Sequence, residues 1–219
     1  MRIVTEIKYL LKKEIILEWR SKYALNGILL YVVSTVFVCY LSFKTTPPLV
    51  WNALFWIIML FAAINAIAKS FLQESRGRLL YYYQIASPQA IIIAKIIYNM
   101  LLMMLMSAIA LLVYSIVFQN DVGDKLLYFG AVMLGAISFA SVFTMISAIA
   151  SKANNNGTLM AILSFPVIIP VIILIIKLSK NAMDGLDRSV SLDEVGVLTA
   201  INLIVITVSL LLFPYLWRD

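Results

Sequence analysis

The charged residues best placed to act on a partner lie in residues 69–95, a polar segment between two long apolar runs. Glu74, Arg76 and Arg78 surround Gly77, and three consecutive tyrosines follow them. A short polar helix of this composition, lying flat on a membrane, can dock its charged side chains into a groove of a soluble protein. The alternative interpretation is an ordinary solvated loop followed by tyrosines of the membrane interface.

A second group of candidate residues lies in the fifth apolar run, where Phe165 precedes Pro166 and Pro170. Prolines four residues apart remove two backbone donors and are predicted to kink or break a helix within the membrane. Such breaks are tolerated where neighbouring protein satisfies the backbone, so we expect this run to face other helices. The prolines mark either a moving helix or substrate path, or a kink that serves packing alone.

Several kinds of chemistry are excluded by what the chain lacks. It has no histidine and one cysteine, Cys39, so it cannot by itself form a disulfide, a histidine-ligated metal or haem site, or a histidine-dependent nucleophile. The pattern G-x-x-x-x-G-K-[ST], which cradles nucleotide phosphates, does not occur. Any ATP hydrolysis that drives this protein therefore belongs to another polypeptide. We expect no catalytic residue, no metal site and no enzyme activity in this chain.

The composition is that of a membrane protein. Hydrophobic residues make up 63% of the 219 residues and charged residues 13%, and the mean hydropathy is +0.99. A soluble domain has about a quarter charged residues. The net charge of +6 predicts contact with anionic lipid and not with nucleic acid, because the basic residues lie beside apolar runs.

The apolar pattern predicts the elements that position these residues. Residues 1–23 alternate apolar and basic positions at helical spacing, as in an amphipathic helix of the membrane interface. Six later runs reach the length of about 20 residues that spans a bilayer. They are residues 24–43, 49–68, 90–118, 126–150, 158–176 and 195–217. The sequence thus predicts an all-α polytopic membrane protein, one domain over residues 1–219, with a six-helix bundle over residues 24–217.

The basic residues predict its orientation. Twelve of the seventeen Lys and Arg residues fall on one side, which the positive-inside rule assigns to the cytoplasm. Both termini, residues 69–89 and the loop 151–157 lie on that side. Lys95 lies slightly inside the third run and is expected to reach the end of that run by snorkelling. The other side carries Lys44, Lys125, Lys177, Lys180 and Arg188, and its longest predicted loop is residues 178–194.

Two segments carry a resemblance to a known family. The first is Phe71…Glu74…Gly77…Leu79…Ser87-Pro88-Gln89-Ala90-Ile-Ile-Ile-Ala94-Lys95, and the second is Gly157-Thr-Leu-Met-Ala-Ile-Leu-Ser-Phe-Pro166-Val-Ile-Ile-Pro170. With the amphipathic helix and the six spans, they resemble the CcmB family, whose members are membrane components of the haem exporter of cytochrome c maturation. The similarity extends in order and spacing over nearly the whole chain.

The resemblance implies an ABC-type permease subunit in the bacterial cytoplasmic membrane. Its expected partners are a separate ATP-binding subunit, other membrane subunits of cytochrome c maturation, membrane lipid and a second copy of itself. ATP is then bound by the partner, haem is a candidate cargo, and no cofactor is assigned to this chain. The implied process is haem export or release of a haem-loaded chaperone. The alternatives are an ABC-2-type exporter of another lipophilic substrate and a non-transporting scaffold subunit.

Overall fold

The computed structural model describes residues 2–21, 23–43, 46–67, 71, 86–118, 122–151 and 156–218. Over these residues the chain forms seven α-helices and one short 3-10 helix. The α-helices are α1 Arg2–Ser21, α2 Tyr23–Ser42, α3 Pro48–Ile67, α4 Pro88–Val117, α5 Lys125–Ala150, α6 Asn156–Met183 and α7 Leu192–Arg218, and the 3-10 helix is Arg188–Ser191. The predicted all-α class is confirmed.

Six of these helices, α2 to α7, are long and apolar enough to cross a membrane. Five of them begin and end within three residues of the predicted spans. The exception is α6, for which the apolar pattern predicts an end at residue 176 although the helix continues to Met183. The helix continues because Ile175, Leu178 and Ala182 extend its buried face, while Lys177 and Lys180 project on the exposed side. Both lysines therefore belong to a helix and not to the following loop.

Helix α5 lies at the centre of the bundle. Its apolar span is 72% buried within the chain, against 17% for the peripheral α2. Small side chains on α5 let neighbouring backbones approach closely, as is common between membrane helices. A Cβ added at Gly135 would lie 2.6 Å from the Trp56 ring, so α3 and α5 pack at a distance that only glycine allows. The small buried residues of α5 are Ala131, Gly135, Ala136, Ser138, Ala140, Ser141, Ser147, Ala148 and Ala150.

The buried tryptophan and tyrosine side chains of the core form hydrogen bonds through their polar atoms. Trp56 Nε1 donates to Ser179 Oγ at 2.9 Å, which ties α3 to α6. Tyr128 OH donates to Asn52 Oδ1 at 3.1 Å, which ties α5 to α3. Because these groups are removed from water, each hydrogen bond avoids the cost of an unsatisfied polar atom. The cluster consists of Tyr40, Trp51, Phe55, Trp56, Tyr114, Phe118, Tyr128, Phe139 and Phe143.

Amide side chains join the helices at membrane depth. Asn99 Nδ2 on α4 donates to Thr144 Oγ1 on α5 at 2.8 Å. Asn202 on α7 donates to Ser138 Oγ at 2.9 Å and accepts from Ser141 Oγ at 3.1 Å. Each such bond between membrane helices stabilises by about 1 kcal/mol or less. These asparagines are therefore structural contacts of α5 with its neighbours.

The two ends of the bundle differ. At one, here called the α1 end, α1 packs on the first turns of α4, and the last turns of α5 and α7 add side chains to the same apolar cluster. At the other, called the far end, Gly123 N donates to Met183 O at 3.2 Å and Asp124 N donates to Ala182 O at 2.8 Å. Gly185 has a φ of 65° and packs backbone to backbone on Gly123, where a side chain would collide. The loops before α5 and α7 are thereby held together.

Of the two outcomes predicted for Pro166 and Pro170, a break of the fifth span is wrong, and a kink stays a prediction. Helix α6 runs without interruption from Asn156 to Met183 through both prolines. Each proline removes one backbone donor, so the carbonyls of Ile162 and Pro166 lose their helical partner while the remaining hydrogen bonds of the helix continue. Both prolines lie on the exposed face of α6. The opposite face packs on the bundle.

Candidate functional site

The predicted docking residues Glu74, Arg76, Gly77 and Arg78 lie outside the described residues, and their role stays a prediction. The residues that flank them on either side are described. Phe71 is buried, and Ala86 and Ser87 lead into α4. Both flanks of the docking segment, residues 72–85, are therefore fixed at the α1 end.

Helix α1 packs along the first turns of α4 through its acidic residues. The helix has three glutamates, Glu6, Glu14 and Glu18, here called the glutamate row. Spacings of eight and four residues place all three on one side of a helix. Each of them contacts a polar group on α4 or at its N-cap. The helix thus turns its acidic side chains toward the protein, while Lys8, Lys12 and Arg20 are exposed.

Glu6 binds the beginning of α4. Its Oε2 accepts from Ser87 Oγ at 2.8 Å and from Ser87 N at 3.0 Å. Ser87 is also the N-cap of α4, since its Oγ accepts from Ala90 N, and Pro88 occupies the first turn. A carboxylate at this position also complements the positive end of the helix dipole. Glu6 therefore fixes the N-cap residue that closes the docking segment.

Glu14 forms an ion pair with Lys95, two turns into α4. Lys95 Nζ lies 3.3 Å from Glu14 Oε1 and 4.9 Å from the centre of the Phe71 ring, and the lysine is 3% exposed. Lys95 therefore does not snorkel to the end of its helix as predicted, because α1 covers it and supplies a carboxylate. Burial favours the neutral form of Glu14, but the ammonium groups of Lys95 and Lys13 outweigh burial and hold its pKa below the usual range.

Glu18 links α1 to two membrane helices. Its Oε2 accepts from the Tyr98 hydroxyl on α4 at 3.4 Å. Its Oε1 accepts from Leu25 N, in the first turn of α2, at 3.0 Å. The amides of a first helical turn have no partner within their own helix, so this carboxylate supplies one. Glu18 thus holds α1, α2 and α4 together where the chain enters the bundle.

Phe71 anchors the other flank of the docking segment. Its ring lies 5.6 Å from that of Phe213, near the end of α7. Helices α1, α4 and α5 add apolar side chains, so four helices contribute to this small core, here called the Phe71 cluster. Its members are Leu10, Phe71, Ala86, Ile91, Ile92, Ile96, Met100, Ala148, Ile206, Leu210 and Phe213. Both flanks of the docking segment are therefore joined to α1 and α4.

The inward-facing glutamate row was not predicted from the sequence. The lysines of α1 predict a helix that contacts lipid, which describes only its exposed side. The available signal was that the three acidic residues share one face while Lys8 and Lys12 occupy another. Carboxylates on the inward face of an interfacial helix indicate basic or donor partners beneath it.

Phe165, Pro166 and Pro170 form a separate group on α6. Phe165 is 64% exposed, and both prolines and Ile169 are exposed on the same face. The structure brings these residues together on the outer surface of the bundle and not inside it. A path that they line would therefore run between this chain and lipid or a second protein.

At the far end, an open polar depression lies between the two packed loops. Arg188 donates from Nε to Asp124 Oδ2 at 2.7 Å and from a terminal nitrogen to Oδ1 at 3.2 Å. Asp124 also caps α5 by accepting from two backbone amides. The Arg188 guanidinium and these amides lower the pKa of Asp124 to about 2. The arrangement clamps the loops, and a structural role accounts for each of its contacts.

Metal chemistry has no support within the described part of the chain. No three His, Cys, Asp or Glu side chains are grouped there as a metal site requires.

The six apolar helices and the surface helix at one end define a multi-pass, all-helical membrane protein. The family model described as CcmB protein matches residues 5–215. The chain belongs to the CcmB family, and the resemblance seen in its sequence is confirmed. No curated protein matches the chain. Membership of this family implies an ABC-type permease subunit of cytochrome c biogenesis.

Proposed function

We propose that this chain is the permease subunit of an ABC-type complex for haem export or release of a haem-loaded chaperone in cytochrome c biogenesis. ATP hydrolysis in a separate subunit powers the complex. The observation that carries the proposal is the family match over residues 5–215, which includes the docking segment and all six spans. The other membrane subunits of cytochrome c maturation complete the assembly.

The proposed orientation puts the α1 end in the cytoplasm of a bacterial cell, in its cytoplasmic membrane. The distribution of lysine and arginine supports it, since twelve of seventeen fall on that side. The Phe71 cluster supports the arrangement of the spans, because residues of α1, α4 and the end of α7 meet in it. The docking segment then lies where a cytoplasmic ATPase can reach it, and both termini lie on the same side.

Glu74, Arg76 and Arg78 are proposed to bind a groove of the ATPase subunit. Gly77, which has no side chain, allows the backbone of this segment to approach that groove closely. Charged residues of both signs within five positions suit recognition of a complementary surface. The two flanks support the role, because Phe71 is buried at the α1 end and Ser87 is hydrogen-bonded there to Glu6.

Phe165, Pro166 and Pro170 are proposed as a hinge or as part of the path. The missing backbone hydrogen bonds make this turn of α6 easier to bend than an uninterrupted turn. Their exposure on the outer face supports a path shared with a second copy of this chain. Two copies would also give two docking sites for the two ATPase domains of an ABC complex.

The docking proposal is tested by charge reversal. We expect Glu74→Lys combined with Arg76→Glu to weaken the affinity for the ATPase by about tenfold or more, since each reversal replaces attraction by repulsion. Co-purification of the two proteins from detergent and the ATPase rate of the reconstituted complex measure the effect. The fold should be unaffected, as judged by thermal unfolding of the purified chain.

The matched control reverses two exposed charges at the far end, Lys125→Glu with Asp184→Lys. It changes charge to the same extent without touching the docking segment, and we expect wild-type binding. Wild-type binding and ATPase rate in the Glu74 and Arg76 variant would contradict the docking role. Loss of binding in both variants would indicate a general electrostatic effect instead.

A further inference from the structure

We propose that the glutamate row of α1 transmits motion of the docking segment to the membrane helices, so that α1 is part of the coupling machinery and not only a lipid anchor. This inference rests on the proposed function. It extends that function from the residues that bind the ATPase to the residues that carry its movement onward.

The first observation is that both flanks of the docking segment are bound, directly or through one residue, to the glutamate row. After the segment, Ser87 donates twice to Glu6. Before the segment, Phe71 packs under the Lys95 ammonium, which pairs with Glu14. Displacement of either flank therefore acts on α1.

The second observation is that the central contact is a buried ion pair. Lys95 is 3% exposed and the Glu14 side chain 16% exposed. Separating a pair in such surroundings exposes charge to a poorly solvating environment, so the pair resists sliding more than apolar contacts do. Helices α1 and α4 are thus expected to move together over this stretch.

The third observation is that the row continues into the bundle. Glu18 accepts from Leu25 N in α2 and from the Tyr98 hydroxyl in α4. Movement of α1 is thereby passed to the first spanning helix and to a second point on α4. The exposed lysines and arginine of α1 keep the helix at the membrane surface while it moves.

The test uses the complete complex reconstituted in vesicles of phosphatidylethanolamine and phosphatidylglycerol. Two readouts are taken from each preparation: the amount of ATPase that is bound and the stimulation of ATP hydrolysis by the permease. We expect Glu14→Gln and Lys95→Gln to bind the ATPase normally but to lose about fivefold or more of the stimulation. Exchange of the pair, Glu14→Lys with Lys95→Glu, should restore part of it.

A matched control and a milder variant distinguish loss of the contacts between α1 and α4 from a general effect of breaking an ion pair or of misfolding. Lys177→Gln breaks the ion pair with Glu194 at the far end, where Nζ and Oε1 lie 2.7 Å apart, and should leave stimulation unchanged. Tyr98→Phe removes one hydroxyl that donates to Glu18 and should lower stimulation without reducing thermal stability. Tyr98→Phe alone tests the proposal if the Glu14 and Lys95 variants do not fold.

The outcomes separate the two proposals. Normal binding with wild-type stimulation in Tyr98→Phe and in whichever charge variants fold would overturn the transmission role and leave the proposed function intact. Absence of any bound ATPase from the wild-type complex would overturn the proposed function and the transmission role with it. Normal binding with lost stimulation, partly restored by the exchange, would establish the glutamate row as the transmitting element.

Discussion

At the scale of single residues, Gly135 sets the distance between α3 and α5. The Trp56 ring lies where a side chain at this position would project, and Trp56 is itself held by its hydrogen bond to Ser179. We expect Gly135→Ala to lower the free energy of unfolding by about 1–3 kcal/mol, because a fixed, buried indole has to move. Thermal unfolding in detergent measures the loss.

Gly130 provides the control for this substitution. It lies on the same helix, and an added Cβ there would meet nothing within 4 Å. Gly130→Ala should therefore keep or slightly raise the unfolding midpoint, because alanine favours the helix. Equal effects of the two substitutions would mean that contact with Trp56 does not determine the cost at Gly135.

Lys95 shows what residue patterns reveal and what they omit. Its position inside an apolar run was visible in the sequence, and the run was correctly predicted to be a helix. Its partner was not predictable, since Glu14 lies 81 residues earlier on another helix and periodicity does not tell which helices touch. The same reason explains why the donor partners of Glu6 and Glu18 were missed.

At the scale of elements, the bounds of most helices follow from hydropathy alone. Apolar length is a strong physical requirement, because a spanning segment has to satisfy its backbone internally and match the bilayer. Helix α6 ends later than predicted, because Lys177 and Lys180 lower the hydropathy of its last turns to a value typical of a loop. They lie on the exposed side of a helix whose buried side continues to Ala182.

The hinge proposal for α6 leads to an expectation at this scale. Replacing Pro166 and Pro170 by alanine supplies two backbone donors, and each restored hydrogen bond contributes about 1 kcal/mol. We expect the Pro166→Ala and Pro170→Ala double variant to have a higher unfolding midpoint and a lower rate of ATP hydrolysis in the reconstituted complex. Thermal unfolding and the ATPase rate of the reconstituted complex are the two measurements.

Ile169→Ala is the appropriate comparison for the proline variant. It changes the same exposed face of α6 without altering any backbone hydrogen bond. If the proline variant turns over ATP as fast as the wild type, the prolines serve packing alone. If Ile169→Ala slows turnover as much, the exposed surface matters and the flexibility of the helix does not.

At the scale of the whole molecule, the fold places two different kinds of contact at its two ends. The far end is tied by packed loop backbones and by the Asp124–Arg188 pair. The α1 end is tied by carboxylates on a surface helix and by the Phe71 cluster. The contacts of the far end thus join loops, whereas those of the α1 end join a surface helix to the bundle.

The class, the number of spans and the family were predictable because they depend on composition, apolar length and two sequence segments. The association of helices was not, since it depends on contacts such as Asn202 with Ser138 that leave no periodic signal. Glu74, Arg76 and Arg78 keep the role predicted from the sequence as a proposal.

The most direct measurement of the proposed function is purification of the chain from its native membranes through a C-terminal tag, followed by mass spectrometry and a haem absorbance spectrum. We expect an ABC ATPase and membrane subunits of cytochrome c maturation to be recovered with it, and the spectrum to report whether haem travels with the complex. An ATPase recovered without maturation subunits would favour an exporter of another lipophilic substrate. Recovery of no ATPase would contradict the proposed function and favour a non-transporting scaffold.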